Sequence, residues 1–140
     1  MESAAYRHAH RVTYADCTAG NHVYYARYLS LLEAARNEFL RHLGQPFLDW
    51  QNQDTLFPVL ECHVRYQSPA HYDDLLHIEV WPTLAERVRL NFAYRIVNQT
   101  GALILEAETC HACTSLREKP KRLPDSLRQS LLPFLRAAIH

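Results

Sequence analysis

Val23-Tyr24-Tyr25-Ala26-Arg27-Tyr28-Leu29-Ser30-Leu31-Leu32-Glu33-Ala34-Ala35 is the stretch on which the fold turns. Ten of these thirteen residues are apolar or aromatic, so a helix built from them has no clean polar face. Such a helix is one that other elements surround. The following turns, Arg36-Asn37-Glu38-Phe39-Leu40-Arg41-His42-Leu43, regain polarity, and Gly44 stands where a helix is commonly terminated. The spacing predicts a helix of about 20 residues whose first half lies inside the protein.

The partner of that helix is legible in the rest of the chain. Leu60, Cys62, Val64 and Tyr66 alternate with Glu61, His63 and Arg65. Leu76, Ile78 and Val80 alternate with His77 and Glu79, and Val88, Leu90, Phe92, Tyr94 and Ile96 with Arg87, Arg89, Asn91 and Arg95. A period of two marks strands with one face on a core and the other more polar, the habit of antiparallel sheets. Residues 7–14 read as a first strand and 102–114 as a last one. Asn98-Gln99-Thr100-Gly101 supplies a hairpin turn before the latter. Pro124 opens a short C-terminal helix with Leu127, Leu131, Leu132 and Leu135 on one side. One strand, a buried helix and four strands make a small α+β domain, a sheet wrapped around its own helix.

Length and composition agree. The 140 residues suit one domain spanning 1–140, with no repeat or linker. Fifteen basic and fifteen acidic side chains balance, unlike the basic excess of a dedicated nucleic-acid binder. No run approaches the ~20 apolar residues of a membrane span. Met1–Arg7 lacks the apolar core of a signal peptide. The expectation is a cytoplasmic protein with Cys17, Cys62, Cys110 and Cys113 reduced. Charge is uneven, however: residues 1–116 carry a net −4 and residues 117–140 a net +4. Arg117, Lys119, Lys121, Arg122, Arg128 and Arg136 form either a solvated tail or a patch for a polyanion such as a nucleotide phosphate.

The loop Tyr14–His22 feeds the buried helix and holds the chemistry. A helix N-terminus presents unpaired N–H groups and partial positive charge, suited to a carbonyl oxygen that becomes an oxyanion. Asp16, Thr18, His22, Tyr24 and Tyr25 cluster there; they either tie the loop and pack or serve acyl-group chemistry. Cys110-His111-Ala112-Cys113 has C-x-x-C spacing, but on a strand residues i and i+3 face opposite ways, so the sulfurs diverge. None of the nine histidines falls in a metal-binding spacing, and neither a metal nor a cofactor is expected.

Three ordered motifs carry a resemblance. Tyr14-Ala15-Asp16-Cys17-Thr18-Ala19-Gly20-Asn21-His22-Val23-Tyr24-Tyr25-Ala26-Arg27-Tyr28-Leu29, followed by Glu33-Ala34-Ala35-Arg36, resembles the signature Y-x-D-T-D-x-x-G-x-V-Y-[HN]-A-x-Y-[LV], then E-x-A-R, of the 4-hydroxybenzoyl-CoA thioesterase-like hotdog proteins. Arg65-Tyr66-Gln67-Ser68-Pro69-Ala70-His71-Tyr72-Asp73-Asp74 and Lys119-Pro120-Lys121-Arg122-Leu123-Pro124 continue the match through Y-x-x-P-A-x-x-x-D and K-P-x-x-L-P. Nearest in look are the short bacterial acyl-CoA thioesterases associated with the Tol–Pal envelope system.

The resemblance implies a hotdog fold, a five-stranded antiparallel sheet around a long central helix. It implies a homodimer with a continuous sheet, commonly paired into a homotetramer, and active sites at the dimer interface. It implies an acyl-CoA or acyl-carrier-protein thioester as substrate. Tyr24, Tyr25 and Ala26 would form the helix N-terminal site for the thioester carbonyl; Tyr28 and Phe57 are further pocket candidates. The chain departs where it matters: the family's catalytic carboxylate is the second Asp of D-T-D, here Thr18, and the frequent His of Y-H-A is Tyr25. An unactivated hydroxyl is a poor base and weak nucleophile. The catalytic candidates are therefore Asp16, Thr18, His22 and Glu61, with Glu33 as either a further candidate or a partner of Arg36. A non-hydrolytic acyl-CoA or acyl-carrier-protein binder is the alternative expectation, and a structural partner at the envelope a third.

Overall fold

The computed structural model describes residues 5–138. The leader expectation for Met1–Arg7 thus rests mostly on residues outside that range. Five strands, β1 (Tyr6–Arg11), β2 (Val59–Tyr66), β3 (Leu75–Glu86), β4 (Arg89–Val97) and β5 (Leu103–Ala112), form one antiparallel sheet in the order β1-β3-β4-β5-β2. Three helices accompany it: α1 (Arg27–His42), α2 (Phe47–Gln51) and α3 (Asp125–Leu131). Helix α2 has no counterpart in the sequence-based expectation.

Alternation decides the two faces. Leu76, Ile78, Val80, Leu90, Phe92, Tyr94, Ile96, Leu105 and Ala107 are buried and meet α1 through Tyr28, Leu31, Leu32, Ala35, Phe39 and Leu40. The opposite face carries charge, and one transverse row runs Arg7, Glu79, Arg95, Glu106, Arg65 across all five strands. Arg7 and Arg95 both reach Glu79, at 3.6 and 3.9 Å. Opposite charges side by side in this way are mutually supportive and set register.

Helix α1 ends as its sequence indicates. Gly44 has φ +73°, its N–H bonds the carbonyl of Arg41, and the N–H of Gln45 bonds that of Leu40. This pair of bonds is the Schellman closure, which needs a left-handed residue at the glycine position. The start differs from expectation. Helix begins at Arg27, not Val23, and spans 16 residues. The N–H of Val23 bonds the Ala70 carbonyl and that of Tyr24 the Asp16 carbonyl, both at 2.9 Å, which holds residues 23–24 against neighbouring loops. Burial of the first half is also overturned in part, since Tyr24, Tyr25 and Leu29 are exposed in the single chain.

Other boundaries differ for local reasons. β1 stops at Arg11 because Tyr14–Asp16 coils into a 3-10 turn. β3 continues through Trp81-Pro82 to Glu86, with a register shift between Pro82 and Leu84. Pro82 lies past the last described pairing of β1, and among the described residues no strand on that side asks for its missing N–H. Leu127 and Leu131 are buried, but Leu135 is exposed because Leu132–Phe134 breaks into a 3-10 turn that rotates the stripe. β2 pairs on one side with β5 and, among the described residues, has no strand on the other; Val59, Leu60 and Tyr66 are exposed on it.

Candidate active site

The loop ahead of α1 is assembled around one buried carboxylate. Asp16 is 1% exposed. Its Oδ2 accepts from the Thr13 N–H and from His10 Nε2, each at 2.8 Å, and its Oδ1 accepts from Arg27 Nε at 2.7 Å. Burial pushes this carboxyl upward, but the three donors outweigh it and hold Asp16 well below the usual carboxylate range. It stays ionised with both oxygens committed. Thr18 N–H bonds the His22 carbonyl at 2.9 Å, closing the tip of the loop. Gly20 (φ +91°) and Asn21 (φ +63°) make that turn. A Cβ on Gly20 would sit 3.3 Å from the His22 ring, so glycine serves both the backbone angle and the ring's place.

Beside this loop lies a cleft of about 490 Å³, lined by Thr18, His22, Val23, Tyr24, Tyr25, Tyr28 and the segment Tyr66-Gln67-Ser68-Pro69. The tyrosines are set by their own bonds. Tyr66 Oη donates to the Tyr25 carbonyl at 2.8 Å, and the Ala70 N–H donates to Tyr28 Oη at 3.1 Å. Tyr24 and Tyr25 rings stand 4.8 Å apart, Tyr28 and Tyr66 rings 5.7 Å. The neighbouring Tyr25 phenol raises the pKa of Tyr24, and burial raises those of Tyr28 and Tyr66. These three phenols are therefore neutral near pH 7 and offer O–H groups without charge. Ala26 caps α1 with no side-chain hydrogen bond. Among the described residues, the N–H groups of Tyr25 and Ala26 meet no acceptor. The arrangement suits a flat or apolar group with a polarised carbonyl at its inner end.

Thr18, His22, Tyr24 and Tyr25 thus meet in one cleft, with Ala26 at the helix end beneath it. Asp16 lies behind the loop and does not line the cleft. Glu61 sits on the charged sheet face opposite Cys110, 61% exposed and 3.6 Å from His63 Nε2. It is five positions from Tyr66 along β2, about 17 Å on a strand. Phe57 is elsewhere, packed on Phe47 at 5.6 Å. Glu33 is 64% exposed and 3.9 Å from Arg36. Tyr66, Gln67, Ser68 and Pro69 belong to the second motif, but sequence reasoning does not mark them as lining residues; the available signal is a tyrosine at the inward phase of β2 just before a proline turn.

Part of the basic C-terminal group is structural. Lys121 Nζ bonds the carbonyls of Gln53 and Asp54 and the Thr55 hydroxyl at 3.0–3.2 Å. Arg128 Nε donates to the Ala85 carbonyl at 3.0 Å, and Arg136 lies 4.2 Å above the Trp81 ring. Arg117, Lys119 and Arg122 are exposed. Cys110 and Cys113 are both unpaired, the first half-buried and the second buried with its thiol on the Arg122 carbonyl at 3.7 Å. Among the described residues no cluster of metal-ligating side chains occurs, and no helix is long and apolar enough to cross a membrane.

The chain is similar to known proteins over most of its length. The chain is 37% identical over 128 residues to the acyl-CoA thioester hydrolase YbgC of Escherichia coli, covering 91% of this chain and 96% of that one. It is 27% identical over 118 residues to a 1,4-dihydroxy-2-naphthoyl-CoA hydrolase of Thermosynechococcus vestitus, covering 83% and 81% respectively. A hypothetical protein of Thermus thermophilus superposes with a TM-score of 0.86 at 27% identity, covering 95% of this chain and 99% of that one. With residues 12–131 matching its sequence profile, the chain belongs to the thioesterase-like superfamily.

Proposed function

We propose that this protein hydrolyses an acyl-CoA thioester to the free acid and CoA. The observation that carries the reading is the tyrosine-lined cleft at the uncapped N-terminus of α1, in a chain 37% identical to an acyl-CoA thioester hydrolase. The thioester carbonyl oxygen accepts from the N–H of Tyr25 or Ala26, and negative charge developing on it is stabilised there. Water adds to the carbonyl carbon, giving a proton to a base. The C–S bond then breaks, and the departing thiolate takes a proton to become CoA. His22 is the base in this reading: no carboxylate lines the cleft, and an imidazole is suited to proton transfer near neutral pH. Thr18 stands beside it, and Asp16 holds the loop that carries both.

The absence of a carboxylate among the lining residues favours one alternative, binding of acyl-CoA or an acylated carrier protein without efficient hydrolysis. A panel of acetyl, short-chain, long-chain and aromatic CoA thioesters, followed with a thiol-trapping dye, separates the two. Turnover above buffer supports the enzyme; tight calorimetric binding without turnover supports the binder.

The open edge of β2 supports a homodimer. The outward-facing backbone groups of β2, flanked by exposed Val59, Leu60 and Tyr66, form a surface that a second β2 would close by two-fold symmetry. α1, with one face buried on the sheet, then serves as the central helix of a hotdog arrangement, and pairing of two dimers gives the homotetramer. We place the protein in the cytoplasm, in the Tol–Pal-associated subfamily that its motifs resemble.

A further inference from the structure

The open edge of β2 carries a charge pattern that is complementary to itself. Val64 packs on the core, and the Tyr66 ring lies 5.7 Å from that of Tyr28 on α1. Cys62, Val64 and Tyr66 therefore share the face toward α1, and Glu61, His63 and Arg65 share the charged face. The latter stand opposite Cys110, Glu108 and Glu106 of β5. Glu61 lies 3.6 Å from His63 Nε2. Arg65 is exposed and has no ion pair or hydrogen bond among the described residues. The strand thus ends in an acid at one side of His63 and an unengaged base at the other.

The backbone phase of that edge follows from one bond. The Gln67 N–H donates to the Ile104 carbonyl at 2.8 Å, continuing the pairing of Tyr66 with Leu105. Bonded and unbonded pairs alternate along an antiparallel ladder. Glu61, His63 and Arg65 therefore bond β5, and Cys62, Val64 and Tyr66 turn their N–H and C=O groups to the open side.

A second β2, related by a two-fold axis normal to the sheet, sets each side chain against one on the same face. Three registers keep the strand middles together, with the axis beside Cys62, His63 or Val64. Beside Cys62, Glu61 faces the second copy's His63, and Tyr66 meets Pro58, which has no N–H to give. Beside Val64, Arg65 faces His63 and Glu61 faces the uncharged Gln67. Beside His63, Glu61 of each copy faces Arg65 of the other. These are unbonded pairs, with Cα atoms about 4.5 Å apart and side chains close. On the face toward α1, Cys62 meets Val64, and Leu60, at the register shift, comes opposite Tyr66. Leu60 and Tyr66 are 49% and 48% exposed in the single chain, and this register covers one with the other.

We propose that two copies join in the His63-centred register, selected by reciprocal Glu61–Arg65 pairs, and that the second copy's Leu60 borders each tyrosine-lined cleft. This rests on the homodimer reading above and adds to it the contacts that fix the pairing and the residue lent to the site. Tyr66 is part of the cleft wall. The residue opposite it across the open edge therefore closes the β2 side of the space a ligand enters.

Charge reversal reads the register. Glu61→Arg alone brings like charges together at both symmetric places, and so does Arg65→Glu. Joined to each other, the two variants have opposite charges at both places again. The two chains are co-produced and their dimers weighed by native mass spectrometry. The mixed dimer is expected to exceed the two homodimers together by about tenfold or more; a mixed dimer near the statistical share of about half overturns the register. A covalent test reads the lent residue. In a Cys62→Ser background, Leu60→Cys with Tyr66→Cys sets two thiols on a bonded pair across the interface, with Cα atoms about 5.5 Å apart and within disulfide reach. Within one chain the two positions are about 20 Å apart, so a disulfide between them joins two chains. Diamide, which takes up the two hydrogens, is expected to give a covalent dimer that Cys62→Ser alone does not; no covalent dimer overturns the contact. Should that variant not fold, the native masses decide. A monomeric wild type in sedimentation removes the homodimer reading and the register with it, whereas a wild-type dimer with statistical mixing removes the register alone.

Discussion

Acidification tests the buried His111, whose Nδ1 meets the Phe57 carbonyl at 3.0 Å and whose Nε2 meets Thr109 Oγ1 at 2.8 Å. Burial, with Arg36 adding its charge and the Phe57 carbonyl opposing, pushes His111 down from 6.5 to about 4. In the unfolded chain the imidazole takes up a proton near its ordinary value; in the fold it does not. Between those two values the unfolded state binds more protons, so stability falls as pH falls. Each tenfold change in proton affinity between the two states is worth about 1.36 kcal/mol, so the full loss by pH 4 is about 3 kcal/mol and the loss by pH 5 about 2 kcal/mol. With a urea m-value of about 2 kcal/mol/M, the midpoint drops by roughly 1 M between pH 7 and pH 5 from this group alone. The informative quantity is a difference between wild type and variant measured under the same conditions. His111→Gln keeps a donor for the Phe57 carbonyl and removes the titration. It is expected to be less stable at pH 7, yet to lose about 2 kcal/mol less than wild type on going to pH 5. Thr109→Val removes one hydrogen bond but leaves the ring buried, and keeps the wild-type pH dependence. Equal losses in wild type and His111→Gln would refute the assignment of His111 as a buried neutral imidazole.

Three further outcomes follow from the site and the sheet. Asp16→Asn lowers stability by about 2 kcal/mol through loss of its buried ion pairs, with the wild-type contribution present above about pH 4 and fading below it. Its kcat in the folded fraction drops less than tenfold, whereas His22→Ala costs about a hundredfold or more, the scale of lost general-base catalysis; the reverse order sinks the assignment of roles. Thr18→Asp places a carboxylate in the cleft and raises kcat by about tenfold or more if the site is a thioesterase short of its usual acid, while unchanged kcat places the reacting carbonyl elsewhere. Sedimentation equilibrium at micromolar protein gives at least twice the 16.3 kDa chain mass; a clean monomer removes the paired β2 edge from the account.

What the amino-acid order determined by itself were features written in local periodicity. Alternation in Leu76–Val80 and Leu90–Ile96 marked strands and their inner face, because side chains on a strand alternate sides whatever the neighbours do. Gly44 announced the end of α1, because a left-handed residue there needs no side chain. The Tyr14–Leu29 motif located the loop and the helix that share the site. Tertiary structure decided the rest, because it depended on partners distant in the chain. Val23 and Tyr24 have helical neighbours, yet the carbonyls of Ala70 and Asp16 claim their N–H groups, and the helix starts four residues late. Asp16 looked like a reactive acid until Arg27, His10 and Thr13 closed around it, whereas Glu61 looked close to the site until pairing with β5 turned it to the charged face. The Tyr66–Pro69 wall stands where it does only because β2 crosses to lie beside β5, a pairing between segments about forty residues apart that no local pattern encodes.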